Sequence, residues 1–279
     1  MNKLDLRAAA AERVLLAAHR GVSGGNIPCN TLEAYEIALR QGADIVEVDI
    51  AVTADRQLYV FHPGMEMPHL KSETAIKEMQ GSQVAELAYV NQDLVKTECV
   101  VSTIDEVFEL LKGRCIINID KFWTAMPEIT EAIRRHGLSD QVIIKTSAQD
   151  KWFKMVEEIA PELPYMPIIN DIDRCTDQLL KMNINFVGAE VLFRTELSQT
   201  AQPEYIESMH KKGLLLWANA IIYSYKAVLA AGHSDDYSLT RDPDLGWGWL
   251  ADRGYDIIQT DWTLPARLYL EETGRRFRK

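Results

Sequence analysis

Short apolar runs alternate with helical patterns along almost the whole chain. "RVLLAAHRG" reads as a strand, and "NTLEAYEIALRQG" as a helix with Asn30 as N-cap, Glu33 in the capping-box position and Gly42 past its end. "DIVEVDIAV" and "QLYVFHP" follow as strands, residues 64–100 are irregular, and the alternation then resumes. The strands "CIINID", "QVIIKT", "PYMPIIN", "NFVGAEVLF", "LLLWANAI" and "YDIIQTD" are separated or followed by helical patterns, "YKAVLAA" and "LPARLYLEETG" being the last two. Strands that alternate with helices imply a parallel sheet. The link from "DIVEVDIAV" to "QLYVFHP" is too short for a parallel crossover, so those two form an antiparallel hairpin. The remaining eight strands predict an α/β fold, a (β/α)8 TIM barrel, with the hairpin and the 64–100 insertion at its mouth. An open doubly wound sheet is the runner-up, but "GVSGGN" lacks the dinucleotide-binding spacing. The length of 279 residues suits one barrel domain spanning 1–279.

The hairpin places chemistry. With a turn centred on Asp55-Arg56, Thr53 faces Leu58 and Asp49 faces His62, unless a bulge shifts the register. Glu47 lies on the Asp49 face because strands alternate with period two. Two carboxylates among Ile45, Val46, Val48 and Ile50 need a cation or strong donors, since uncompensated burial of charge is costly.

The other strand ends matter because barrel enzymes work at that face. They carry His19-Arg20-Gly21, Asp120 followed by Lys121, Lys145, Glu190, Trp217 with Asn219, and Asp261. Glu47, Asp49 and Asp120 form an all-oxygen set suited to a hard divalent cation, Mg2+ or Ca2+. His19 and His62 can exchange protons near neutrality. Arg20, Lys121 and Lys145 add positive charge, and the combination fits chemistry on a phosphate ester. Glu190, Trp217 and Asn219 are candidate substrate contacts, with a core role the competing reading for Trp217. Asp261 reads as the cap of the last helix, and His69, His136, His210 and His233 as surface residues.

Composition narrows the partners. A formal net charge of −11 argues against nucleic acid, and no apolar stretch approaches a membrane span. The four cysteines show no zinc spacing. Without a signal-peptide pattern at the N-terminus, a cytoplasmic location is expected.

The run "AHRG…NTLEAYEIALRQGADIVEVDIAVTADRQLYVFHP" resembles the glycerophosphodiester phosphodiesterases, with weaker likeness at "INIDK", "LLWANA" and "IIQTD". The resemblance implies a TIM barrel, a divalent metal, and hydrolysis of glycerophosphodiesters to glycerol 3-phosphate and an alcohol. It implies His19 and His62 as the acid/base pair, Arg20 as phosphate ligand, and Glu47 and Asp49 as metal ligands. The third ligand of an E-x-K strand end would correspond to Asp120, with Lys121 directly after it. Where the family has His-Asp, this chain has His62-Pro63, which points to a small phosphodiester with another headgroup. A cyclic-phosphate product, as in the related sphingomyelinase-D-like enzymes, and a non-catalytic phospholigand-binding barrel are the alternatives. A metal-assisted lyase or isomerase is a more distant one. The 64–100 insertion is expected to overhang the mouth and select substrate.

Overall fold

The computed structural model describes residues 4–222 and 226–278. Its strands are β1 (Leu15–Ala18), β2 (Ile45–Val52), β3 (Leu58–Val60), β4 (Ala88–Val90), β5 (Lys96–Val100), β6 (Ile116–Asp120), β7 (Val142–Ser147), β8 (Tyr165–Asn170), β9 (Gly188–Leu192), β10 (Leu215–Asn219) and β11 (Ile257–Thr260). The order β1-β11-β10-β9-β8-β7-β6-β2 is parallel throughout, and β1 pairs with β2 to close the cylinder. This is the eight-stranded barrel expected from the alternation, with β3 antiparallel on the end of β2.

Period two sorts the barrel interior into layers. The lower layer is apolar, built from Leu15, Ala17, Ile45, Ile116, Ile143, Met166, Trp217 and Ile257. A helix at Leu6–Glu12, not evident in the hydrophobic pattern, closes the bottom with Leu6, Ala9 and Ala10. Two residues further along the same strands stand His19, Glu47, Asn118, Lys145, Asn219 and Gln259, all at the wall of a cavity. The outward faces, such as Val46, Val48 and Ile50, pack under the surrounding helices. The apolar floor therefore holds up a polar layer, and the position of that layer follows from strand parity.

Several expectations need correction. The hairpin register is Val52↔Leu58, Ala51↔Tyr59 and Ile50↔Val60, one residue from the expected pairing. The loop contains Arg56 with φ +64, and Thr53 and Gln57 close it through a backbone bond of 3.0 Å. Three loop residues ending in a left-handed one behave as a bulge, which moves the register by one. Asp49 therefore faces Phe61, whose N–H donates to the Asp49 carbonyl at 3.0 Å. Asn30 is not an N-cap: Thr31 caps the helix Leu32–Arg40, accepting from the Ala34 N–H. In "YKAVLAA", residues 226–231 are not helical, and Tyr225 lies outside the described residues; helices at Asp235–Thr240 and Trp247–Arg253 follow β10 instead.

The 64–100 insertion is a small layer with its own apolar cluster. Leu70, Ile76, Met79, Val84, Tyr89 and Cys99 pack on Ala51, Tyr59 and Phe61 of the hairpin. Its β4–β5 ribbon was not expected. Among the described residues, no helix is long and apolar enough to cross a membrane.

Candidate active site

The polar layer surrounds a cavity of about 220 Å3 at the C-terminal ends of the strands. His19, Arg20, Glu47, His62, Asp120, Lys121, Lys145, Glu190 and Asn219 all line it. Trp217 does not: it is fully buried beneath, with the Lys145 ammonium 3.2 Å from its ring centroid. Its role is the floor, and a desolvated cation over an indole contributes about 2 kcal/mol.

The turn after β1 sets two of these groups. Arg20 and Gly21 have φ +57 and +77, and a Cβ on Gly21 would meet the Ala34 carbonyl carbon at 2.8 Å. Only glycine permits that closeness to the helix with such a backbone. The Arg20 N–H thereby donates to Glu47 Oε2 at 2.8 Å, and its Nε lies 3.0 Å from Asp49 Oδ2. A non-glycine residue held left-handed at a strand end is the kind of strain found in functional sites.

One oxygen from each of Glu47, Asp49 and Asp120 falls within 4.8 Å of the others. Asp49 is fully buried and accepts from Asn30 Nδ2 at 2.9 Å, while Tyr35 donates to Asn30 Oδ1 at 2.8 Å. Asn30 is thus a buried brace for a carboxylate. Asp49 Oδ1 is buried with no hydrogen-bond partner. An orphaned carboxylate oxygen in an all-oxygen cluster fits a hard divalent cation. Burial and the neighbouring Asp49 raise the proton affinity of Glu47. Burial works the same way on Asp120, but the Lys121 ammonium bonded to it outweighs burial and holds its carboxyl below the usual range.

The two histidines differ. His19 Nδ1 is 2.8 Å from Asp261 Oδ1. Asp261 is not the helix cap expected of it; its N–H donates to Asp235 Oδ2 at 2.8 Å, and Asp235 also accepts from Trp247 Nε1 and Thr260 Oγ1, each at 2.6 Å. Burial opposes charge on His19, yet the Asp261 hydrogen bond and the field of Glu47 prevail, and its pKa is raised. His62 reaches the cavity although the register puts it opposite Val48, because pairing stops at Val60 and a turn follows (Met65 N–H to His62 O, 3.2 Å). Its Nε2 is 4.0 Å from Asp49 Oδ1, and its Nδ1 is buried without a partner. Pro63 stands where the resemblance would put an Asp, consistent with that orphaned nitrogen. Burial is the main cause that keeps His62 below the ordinary imidazole range.

On the opposite wall, Glu190 accepts from Lys145 and Asn219, each at 2.6 Å. Asn219 and Gln259 both accept from Trp217 Nε1, at 3.0 and 3.1 Å. Sequence reasoning missed Asp235, Asn118 and Gln259 in this site; Asn118 and Gln259 could have been found from parity, two residues beyond Ile116 and Ile257. Of the histidines expected at the surface, His233 is buried, and His69 and His136 are half-buried.

A family model described only as a domain of unknown function matches residues 165–270. The glycerophosphodiester phosphodiesterase of Bacillus altitudinis is 26% identical over 177 residues, covering 59% of this chain and 70% of that protein. The matches span 65% to 70% of the length of three curated relatives and under a fifth of three others. Among solved structures, a glycerophosphoryl diester phosphodiesterase of Parabacteroides distasonis has a TM-score of 0.77 at 16% identity, over 98% of this chain and 93% of that one. The phosphodiesterase of Oleispira antarctica, solved with the product sn-glycerol-3-phosphate, has a TM-score of 0.67 at 15% identity, over 93% and 97%. At these identities the structural likeness speaks for the fold.

Proposed function

We propose that the chain belongs with the glycerophosphodiester phosphodiesterases it resembles in sequence and in its (β/α)8 barrel, and that it is a metal-dependent hydrolase of glycerophosphodiesters or related small phosphodiesters. The observation that carries this reading is the convergence of two histidines and a three-carboxylate cluster on one cavity at the C-terminal face. Glu47, Asp49 and Asp120 would hold the cation, Mg2+ or Ca2+. Bound there, it supplies Lewis-acid neutralisation of charge on a phosphoryl oxygen.

The chain's own groups do the rest. Arg20, anchored by Asp49, and Lys121, anchored by Asp120, bind the other non-bridging oxygen. His19 has a carboxylate on Nδ1, which fixes its tautomer and stabilises the imidazolium; it is the acid that protonates the departing alkoxide. His62 has no such partner and stays neutral; it takes the proton from the nucleophile. If the nucleophile is water, the products are a phosphomonoester and an alcohol. If it is a neighbouring substrate hydroxyl, a cyclic phosphate forms first. Glu190, Asn219 and Lys145 present a polar wall suited to the hydroxyls of the retained half.

The test is release of glycerol phosphate from a panel of glycerophosphodiesters, followed by phosphorus NMR, with Mg2+ or Ca2+ and after chelation. Turnover that stops on chelation and returns with metal supports the reading. One observation favours a phospholigand-binding barrel without catalysis: Lys121 Nζ lies 3.8 Å from the same Asp49 Oδ1 that a metal would need. Metal-dependent ligand binding with no turnover across the panel would establish that alternative.

Replacing Asp261 by Asn should lower kcat by about 10²-fold, because the imidazole loses its orienting carboxylate. The sign of the pH effect follows from the raised proton affinity of His19. An acid with a raised pKa stays protonated to higher pH, so the alkaline limb of the rate profile belongs to His19. In the Asn variant that limb moves to lower pH, which a profile of kcat against pH will read. An unmoved limb would remove His19 from the acid role.

A further inference from the structure

His19 and Arg20 line two cavities at once. One is the charged barrel cavity; the other is an outer groove of about 670 Å3. The groove runs between the turn after β1, the residues after β11 and the insertion. Ser23, Gly24, Cys29, His69 and Gln92 then belong both to that groove and to a third hollow of about 340 Å3 against the β4–β5 ribbon. Shared walls set these hollows in series outward from the barrel cavity, and the outer two are treated together as one furrow.

The two sides differ in chemistry. The barrel cavity is lined by Arg20, Glu47, Asp120, Lys121, Lys145 and Glu190. Along the furrow, Arg20 and Asp261 at its catalytic end are the only Asp, Glu, Lys or Arg among the described lining residues. Further out, its walls set Val22, Trp262, Leu264, Ile27, Pro68 and Leu94 beside the uncharged polar Ser23, Gln41, Asn91 and Gln92. Trp262 and Leu94 are 50% and 52% exposed, large apolar side chains with open surface to cover.

We infer that the furrow takes the leaving-group half of the substrate, and that this half is an uncharged, extended apolar alcohol with a single alkyl chain. The inference rests on the phosphodiester-hydrolase reading above. A methylene chain in the barrel cavity would strip water from six charged groups without replacing their partners, which is unfavourable. The same chain in the furrow covers apolar surface, which is favourable. The polar half, a glycerol or similar polyol, then faces Lys145, Glu190 and Asn219. In the reaction, the phosphorus–oxygen bond to the chain breaks, water supplies the new oxygen on phosphorus, and His19, which borders both spaces, returns a proton to the chain alkoxide.

The experiment uses sn-glycero-3-phosphoalkanols from ethyl to octyl, all below micellar concentration, beside the choline ester. Full burial of a methylene corresponds to about fourfold in affinity. An open furrow covers roughly half of it, so kcat/KM should rise about twofold per added methylene. The Leu94→Ser, Leu264→Ser double variant should cut the octyl-to-ethyl ratio at least tenfold. A flat series with the ethyl ester hydrolysed, or a choline ester faster than the octyl ester, overturns the inference and leaves the hydrolase reading standing. If no ester is hydrolysed, the hydrolase reading falls, and calorimetry with octyl and ethyl phosphate decides the furrow. Tighter octyl binding, weakened in the double variant, supports it; equal binding overturns it.

Discussion

Replacing His19 and His62 together by Ala should lower kcat by at least about 10³-fold, while the fold is retained. A positioned general acid or base contributes about 10²–10⁴-fold, and groups that act in one step do not add independently. Both side chains line the cavity, and neither belongs to the apolar clusters that hold the barrel together. Far-UV circular dichroism and a melting curve establish folding, and single-turnover kinetics with a glycerophosphodiester give the rate. A rate within tenfold of the unaltered chain would end the acid/base assignment. The single variants add resolution. With a substrate whose leaving group needs no protonation, such as a p-nitrophenyl ester, loss of His19 should matter far less than loss of His62. The same substrate acting equally on both would contradict the division of roles.

The Glu47→Gln variant should lose divalent-cation affinity by more than the roughly 10–100-fold that outer ligand-supporting groups cost. The substitution is chosen for its geometry. The amide oxygen of Gln can still accept the Arg20 N–H that Glu47 Oε2 accepts at 2.8 Å. The turn after β1 is therefore kept, and one negative charge is removed from the carboxylate cluster. Titration calorimetry with Mg2+, Ca2+ and Mn2+ reads the affinity without reference to turnover. Activity should fall in parallel and recover in part at high metal concentration. Unchanged affinity would place the cation elsewhere or leave the cluster to Lys121. Lys121→Met then separates the cases: if its ammonium neutralises the cluster in the resting protein, cation affinity rises in that variant.

The barrel was legible in the sequence because its signal is repeated. Eight apolar runs with helical patterns between them leave few closed arrangements, and parity then carries from the floor to the polar layer above. Glu47 and Asp49 follow from strand alternation, and Asp120 and His19 from their places at strand ends. The hairpin register was not legible, because it depended on the backbone of Arg56. A left-handed residue in that loop is ordinarily Gly or Asn, and nothing in "TADRQ" announces it. His62 reached the cavity by a different route from the one expected, through the early end of β3. The role of Asp261 was hidden by distance, since its partner His19 is 242 positions away in the chain. Local reading favours a cap there because Asp before a helix usually is one. Asn30 misled for the same reason, one residue ahead of the actual cap. The outer furrow was invisible because it is made by loops from both ends of the chain and the insertion, with no shared periodicity.

The closing seam of the cylinder has only two paired positions, Ala17↔Ile45 and Ala18↔Val46, against five between β2 and β6. Directly above it, the Arg20 N–H reaches across to Glu47. Backbone amides along this seam should exchange with deuterated solvent sooner than those of the β2–β6 junction, since a short ladder opens at less cost. Opening there also separates His19 from Glu47, so the first local unzipping of the wall dismantles the reaction centre while most of the scaffold stays intact. Loss of function on mild heating would then precede bulk melting, and ligands bridging the two strands would delay both.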